Sequence, residues 1–266
     1  MSTYGVAAIL GVIEGLTEFL PVSSTGHLII FVDMLGFEGP PGKTFEVMIQ
    51  LGAILALIVL YFRKLLSTVL GLPTDPAARR FAASIVIAFL PAAVLGAGLH
   101  GFIKSVLFSP VVVAIALIVG GLVILAVEQM QQRVRFTEAD QIPLGASFLI
   151  GLGQTLALIP GVSRSGATII AGLLLGLERR AAAEFSFFLS IPTMTGAFVF
   201  DAYKNRHELS FSDAGVIGAG FVAAFIAALL VVKPFLSIVS RIGFSPFAYY
   251  RVALGVFVLT LAFLNR

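Results

Sequence analysis

The chain has 266 residues, of which 59% are hydrophobic and only 12% charged, with a net charge of +3. A soluble domain carries roughly 45–50% apolar and about 25% charged residues, so this composition excludes an ordinary globular or disordered protein and points to an integral membrane protein. At about 20 residues per spanning helix no length remains for a soluble catalytic domain, the absence of Cys removes disulfides and thiolate metal sites, and a small positive excess without a basic run excludes nucleic acid as a partner.

The N-terminal segment lacks a positive n-region and carries Glu14 and Glu18 where a signal peptide would be apolar, so it is expected to belong to the mature fold. Residues 4–36 are apolar but interrupted at Pro21-Val22-Ser23-Ser24, which leaves halves too short for a full crossing. Uninterrupted spans are predicted at 44–62, 81–100 and 110–128. A second interrupted stretch, 143–177, breaks at Pro160-Gly161-Val162-Ser163 and precedes spans at 183–203, 213–232 and 247–264. The predicted fold class is therefore an all-α polytopic membrane protein, a single membrane domain of six transmembrane helices plus two re-entrant helix pairs.

The two interrupted stretches share a pattern. Val22-Ser23-Ser24-Thr25-Gly26 and Ile29-Ile30 align with Val162-Ser163-Arg164-Ser165-Gly166 and Ile169-Ile170 at an offset of 140, and Phe45-Glu46 and Ala183-Glu184 each open the following span. An internal repeat is expected, with repeat one at about 1–128 and repeat two at about 143–266. Counting Lys and Arg by side gives five on one face (Lys43, Lys104, Lys204, Arg206, Arg266) and eleven on the other, among them Arg63, Lys64, Arg79, Arg80, Arg179, Arg180, Lys233, Arg241 and Arg251. The richer face is expected to be cytoplasmic, both termini outside and the repeats inverted, so that the two broken tips meet near the bilayer centre.

Polar residues at membrane depth are costly and so are informative. Glu14 and Glu18 share one helical face of an apolar segment, where two carboxylates need a proton, a cation or an Arg to persist. Ser23, Ser24 and Thr25 sit at the start of a half-helix; they either cap it or, with its free N–H groups, bind an anion such as phosphate. His27 follows Ser24 by three residues, within proton-transfer reach on the same face, with a buried structural His as the alternative. Ser163, Arg164 and Ser165 supply the equivalent break of repeat two, and a guanidinium there fits phosphate bidentately or pairs with Glu14 or Glu18. A hydroxyl, a His and an Arg clamp together suit phosphoryl transfer without a soluble domain. Lipid phosphatases with a second catalytic His match poorly, because His100 and His207 fall at the outer ends of predicted spans.

The segments Glu14-Gly15-Leu16-Thr17-Glu18-Phe19-Leu20-Pro21-Val22-Ser23-Ser24-Thr25-Gly26-His27 and Pro160-Gly161-Val162-Ser163-Arg164-Ser165-Gly166-Ala167-Thr168 resemble the two signatures of the undecaprenyl-diphosphate phosphatases of the bacitracin-resistance type. The resemblance extends to Phe45-Glu46 with Gln50-Leu51-Gly52 and to Glu184-Phe185-Ser186-Phe187. It implies hydrolysis of a polyprenyl diphosphate to the monophosphate at the outer face of the bacterial cytoplasmic membrane, which recycles the carrier lipid for peptidoglycan synthesis. It also implies that Glu14 and Glu18 are paired essential acids with a divalent cation, Mg2+ or Ca2+, that Ser24 and His27 belong to the catalytic group, and that Arg164 binds phosphate. Spacing does not decide between Ser24 and His27 as nucleophile; the expectation adopted is Ser24, with His27 as base. The expected partners are the lipid substrate and the surrounding membrane lipids, and a homodimer is left open. A polyprenyl-phosphate flippase or ion-coupled transporter would use the same broken helices, with Glu14 and Glu18 as its coupling-ion site. A purely structural membrane protein would leave the converging polar residues unexplained.

Overall fold

The computed structural model describes residues 2–40, 44–102, 109–130, 133–204 and 213–264, and among these the regular structure is helical apart from one bridge between Phe136 and Leu177. Among the described residues five helices are long and apolar enough to cross a membrane: α5 (Pro76–Phe102), α6 (Pro110–Gln129), α9 (Arg179–Lys204), α10 (Ala214–Ile242) and α11 (Ser245–Leu264). The predicted span at 44–62 is instead two helices, α3 (Thr44–Leu60) and α4 (Phe62–Gly71), bent by 74° at Tyr61; counted as one crossing, the pair makes a sixth. The bend separates the apolar run of α3 from a segment bearing Arg63 and Lys64 that leaves the apolar bundle. The predicted span at 213–232 continues to Ile242 through Pro234, and Gly243, at φ 77°, ends it in a conformation that favours glycine.

The two interrupted stretches give short helices, α1 (Thr3–Thr17) with α2 (Ser24–Met34), and α7 (Leu144–Thr155) with α8 (Arg164–Leu174). Large apolar side chains such as Val94, Leu230 and Leu264 stay exposed around the outside, which suits a lipid surround and not water. Inside, Phe19, Phe185, Phe187 and Phe235 are among the largest fully buried side chains and belong to one core cluster.

Two of the short helices pack chiefly against partners distant in sequence, α1 along α10 and α7 along α5, while α2 rests on α1 and α8 on α7 and α9. Small residues allow the approach, since a Cβ at Gly11 or Gly15 would run into the carbonyls of Gly220 or Ala224, and one at Gly151 into that of Ala88. Gly15→Val should therefore force α1 away from α10 at a cost of about 1–3 kcal/mol. A lowered thermal unfolding midpoint in detergent checks this, and an unchanged midpoint would mean that the contact is looser than drawn.

Candidate functional site

Two helix N-termini converge where the interrupted stretches break. Ser23 and Ser163 are the only non-glycine residues at positive φ among the described residues, at 68° and 77°, and each caps its helix by accepting the N–H of the residue three further on, Gly26 (3.3 Å) or Gly166 (3.1 Å). That backbone conformation costs about 1–3 kcal/mol and persists only where the surroundings enforce it. The tips are tied to each other, because the Ser165 hydroxyl donates to the Leu20 carbonyl at 2.7 Å. Ser165 having used its proton there, Ser163 is the donor in the 3.0 Å contact between the two hydroxyls.

Between the tips lies a cavity of about 110 Å³ lined by Glu18, Ser23, Ser24, Thr25, Gln50, Ser163 and Arg164 among others. Glu18 is its hub. One carboxylate oxygen accepts the Ser24 hydroxyl at 2.5 Å and the other accepts Arg164 at 3.0 Å. Arg164 is held from behind by Ser186, whose backbone carbonyl (2.9 Å) and hydroxyl (3.0 Å) both accept from the guanidinium, while Thr168 donates to the same hydroxyl at 2.8 Å. Its Nε–H has no partner among the described residues, so a buried donor remains beside the cavity for an incoming oxygen. The cradle of Ser186 was not foreseen: it sits 140 residues after Glu46, the offset of the tips, whereas the sequence pairing had set Glu184 against Glu46.

Glu14 is fully buried one turn from Glu18, and neither of its oxygens has a hydrogen-bond partner among the described residues. The charges that act on it are those of Glu18, Glu46 and Arg164. The described residues contain no group of three or more His, Cys, Asp or Glu side chains arranged to hold a metal ion. His27 lies on α2 three residues after Ser24, as the spacing set it, but its ring is engaged elsewhere. Its Nδ1 bonds the Ser23 carbonyl at 2.8 Å and its Nε2 the Tyr250 hydroxyl at 2.6 Å, so neither nitrogen serves Ser24. A carbonyl only accepts, so Nδ1 carries the proton, and in the neutral ring Nε2 accepts from Tyr250. His207 lies outside the described residues, and His100 falls near the C-terminal end of α5.

The residue that sequence analysis misplaced is Arg251. Counted above with the charges of the cytoplasmic face, it is fully buried, and its five N–H donors all meet backbone carbonyls: Pro21 (3.0 Å) of the first tip, Gly161 (3.0 Å) and Val162 (2.9 Å) of the second, and Ala116 (3.1 Å) and Leu117 (3.3 Å) of α6. With every donor engaged, Arg251 holds the two tips in register and has none left for substrate. The signal was present, since a charge inside the predicted 247–264 span cannot sit in lipid unpartnered. Removing it from the count leaves five against ten and the same bias. Lys43, Lys104, Arg206 and Arg266 of that count lie outside the described residues.

Residues 7–257 match the family described as Bacitracin resistance protein BacA. The chain is 54% identical over 250 residues to undecaprenyl-diphosphatase 1 of Agrobacterium fabrum, covering 94% of this chain and 93% of the relative. It is 52% identical over 267 residues to the undecaprenyl-diphosphatase of Caulobacter vibrioides, covering 100% of both. Against undecaprenyl-diphosphatase 2 of Paramagnetospirillum magneticum the identity is 56% over 249 residues, 94% of this chain and 95% of the relative.

Proposed function

The chain belongs to the Bacitracin resistance protein BacA family, and from that premise we infer that it is a membrane phosphatase that hydrolyses undecaprenyl diphosphate to undecaprenyl phosphate and inorganic phosphate, recycling the carrier lipid of peptidoglycan synthesis. The observation that carries this assignment into the site is the Ser24 hydroxyl bonded to Glu18 beside Arg164, between two helix N-termini that together favour an anion.

In the proposed mechanism the terminal phosphate of the lipid enters the cavity, and Arg164 turns from Glu18 toward it while keeping its contacts with Ser186. Glu18 takes the Ser24 proton as the hydroxyl oxygen bonds to phosphorus. The bridging P–O bond breaks, Glu18 passes that proton to the bridging oxygen, and the lipid monophosphate leaves. Water then attacks the phosphoserine, and the ionised Glu18 accepts the water's proton and delivers it to the Ser24 oxygen as the bond from that oxygen to phosphorus breaks and phosphate leaves. His27, engaged by Ser23 and Tyr250, orients the turn that presents Ser24, which differs from the role of base expected for it. Thr25, at the cavity wall, and the N–H groups at the starts of α2 and α8 complete the phosphate contacts, with Ser23, Ser163 and Ser165 holding the tips.

A divalent cation fits this site in one respect: Glu14 is a buried carboxylate with two open oxygens beside Glu18, and Mg2+ is usually held by one or two carboxylates together with substrate phosphate. Glu14 and Glu18 would hold it, and when bound it would neutralise diphosphate charge. Phosphate release from undecaprenyl diphosphate by the purified chain in detergent tests the function, because hydrolysis needs no second compartment whereas transport does. Release should fall to background in excess chelator and return with Mg2+; full activity in chelator would leave Glu14 without a metal role.

The architecture proposed is six crossings, with α3 and α4 as one of them, plus two re-entrant pairs, α1–α2 and α7–α8, in inverted repeats of about 1–128 and 143–266. The duplicated cap geometry at Ser23 and Ser163 supports the repeat, and the charge bias supports a site open to the outer face of the cytoplasmic membrane. Single Cys substitutions at the exposed Glu38 and Ala77 should react with a membrane-impermeant thiol reagent from opposite sides, Glu38→Cys from outside. External labelling at position 77 instead would reverse the orientation.

A further inference from the structure

A second polar groove, of about 430 Å³, lies where the C-terminal end of α3, the N-terminal turns of α9 and the last third of α10 meet. Its walls carry Arg180, Lys233 and Arg241 against a single carboxylate, Glu184. That carboxylate is already engaged, accepting Arg180 at 3.1 Å and the Tyr61 hydroxyl at 3.4 Å. Lys233 and Arg241 have no ion-pair partner among the described residues, so the groove holds an unbalanced charge of two.

The placement of these cations exceeds what a membrane-facing helix end requires. Lys233, Ser237 and Arg241 recur every four residues, so they form one polar stripe on an otherwise apolar spanning helix. From Arg241 to Lys233 the stripe runs about 12 Å along the axis, at about 1.5 Å per residue. A cation at that depth needs water, a snorkelling path or an anion. Leu60, Val232 and Leu236 give the groove an apolar wall, and the neighbouring Leu230 and Ile238 are exposed on the lipid-facing surface. Cations and hydroxyls at the head, with apolar side chains along the flank, fit a phosphate group borne on an acyl or prenyl chain better than a free anion.

This groove is separate from the catalytic cavity. Buried rings close the space between them: Tyr61 lies 6.5 Å from Phe187, Phe187 6.0 Å from Phe235, and Phe187 5.5 Å from Phe19 of the first tip. Arg180 and Ser186, the residue that cradles Arg164, are six positions apart on α9, about 9 Å along the axis. We propose that the groove of Arg180, Lys233 and Arg241 is a second, non-catalytic site for the phosphate headgroup of an anionic membrane lipid.

The test is native mass spectrometry of the full chain in detergent with dioleoyl phosphatidic acid, dioleoyl phosphatidylcholine or inorganic phosphate. It is run in wild-type and Arg164→Gln backgrounds so that lipid held in the catalytic cavity is counted separately. Phosphatidic acid should remain bound in the Arg164→Gln background and bind about twenty-five-fold more weakly to the Lys233→Gln/Arg241→Gln double variant, at roughly fivefold per cation near a membrane surface. Hydrolysis by the double variant in the otherwise wild-type chain should be unchanged, which shows that it folds and keeps this result independent of the phosphatase assignment. Equal binding by the double variant, equal binding of phosphatidylcholine, or displacement by inorganic phosphate at equal concentration would each overturn the lipid site.

Discussion

Ser24→Ala should lower phosphate release by about a thousandfold or more, with the lipid still bound. The expected loss is this large because the hydroxyl supplies the oxygen that attacks phosphorus, and residues acting as one catalytic unit lose nearly all of their effect when the nucleophile goes. Glu18→Gln should lose about 10²- to 10⁴-fold, the usual range for a general base, since the amide still reaches Ser24 but cannot take its proton. His27→Gln separates the two assignments of the base. If His27 only orients the turn through the Ser23 carbonyl, the variant should retain more activity than Glu18→Gln, whereas a greater loss would return the role of base to the imidazole. The measurement is single-turnover phosphate release together with retention of the lipid by each variant.

Arg251→Lys should nearly abolish turnover although Arg251 touches no substrate. An ammonium offers three donors from one point, whereas the guanidinium meets five carbonyls on two tips and α6. The Ala116 and Leu117 carbonyls keep their partners within α6, but each tip carbonyl of Pro21, Gly161 or Val162 left without a donor costs about 1–3 kcal/mol, a large part of a typical total stability of about 5–15 kcal/mol. The tips would lose their common register, and with it the alignment of Ser24 from one and Arg164 from the other. Gly120→Ala should reproduce the defect with Arg251 intact, because a Cβ there would run into the guanidinium. The readouts are the unfolding midpoint and a split between KM and kcat: a positioning role predicts a fall in kcat of about a hundredfold or more with KM little changed. A variant that lost stability while keeping its kcat would reduce Arg251 to a purely structural tie.

Much of this was legible along the chain because it depends on local rules. Apolar runs of about 20 residues cross a membrane wherever they occur, so α5, α6, α9, α10 and α11 were visible as spans. Pro21 and Pro160 mark the breaks, since proline ends helices by its own geometry, and the Ser-rich caps that follow them gave away the starts of α2 and α8. The cost of charge in lipid picked out Glu14, Glu18 and Arg164 before any contact was known. What the sequence could not decide was which groups meet. Arg251 and Pro21 are 230 residues apart, and Arg164 and Glu18 are 146 apart. Spacing placed His27 beside Ser24, yet the packing of α11 brought Tyr250 to its ring and left Glu18 on the hydroxyl. The lodging of Arg251 likewise follows from neighbours distant in sequence. Helix formation and membrane insertion are set by each segment's own backbone and apolar surface, so the sequence by itself determined them; the partner of a buried hydroxyl, carboxylate or guanidinium is set by whichever distant group satisfies it once the helices are packed, and only the tertiary structure decided that.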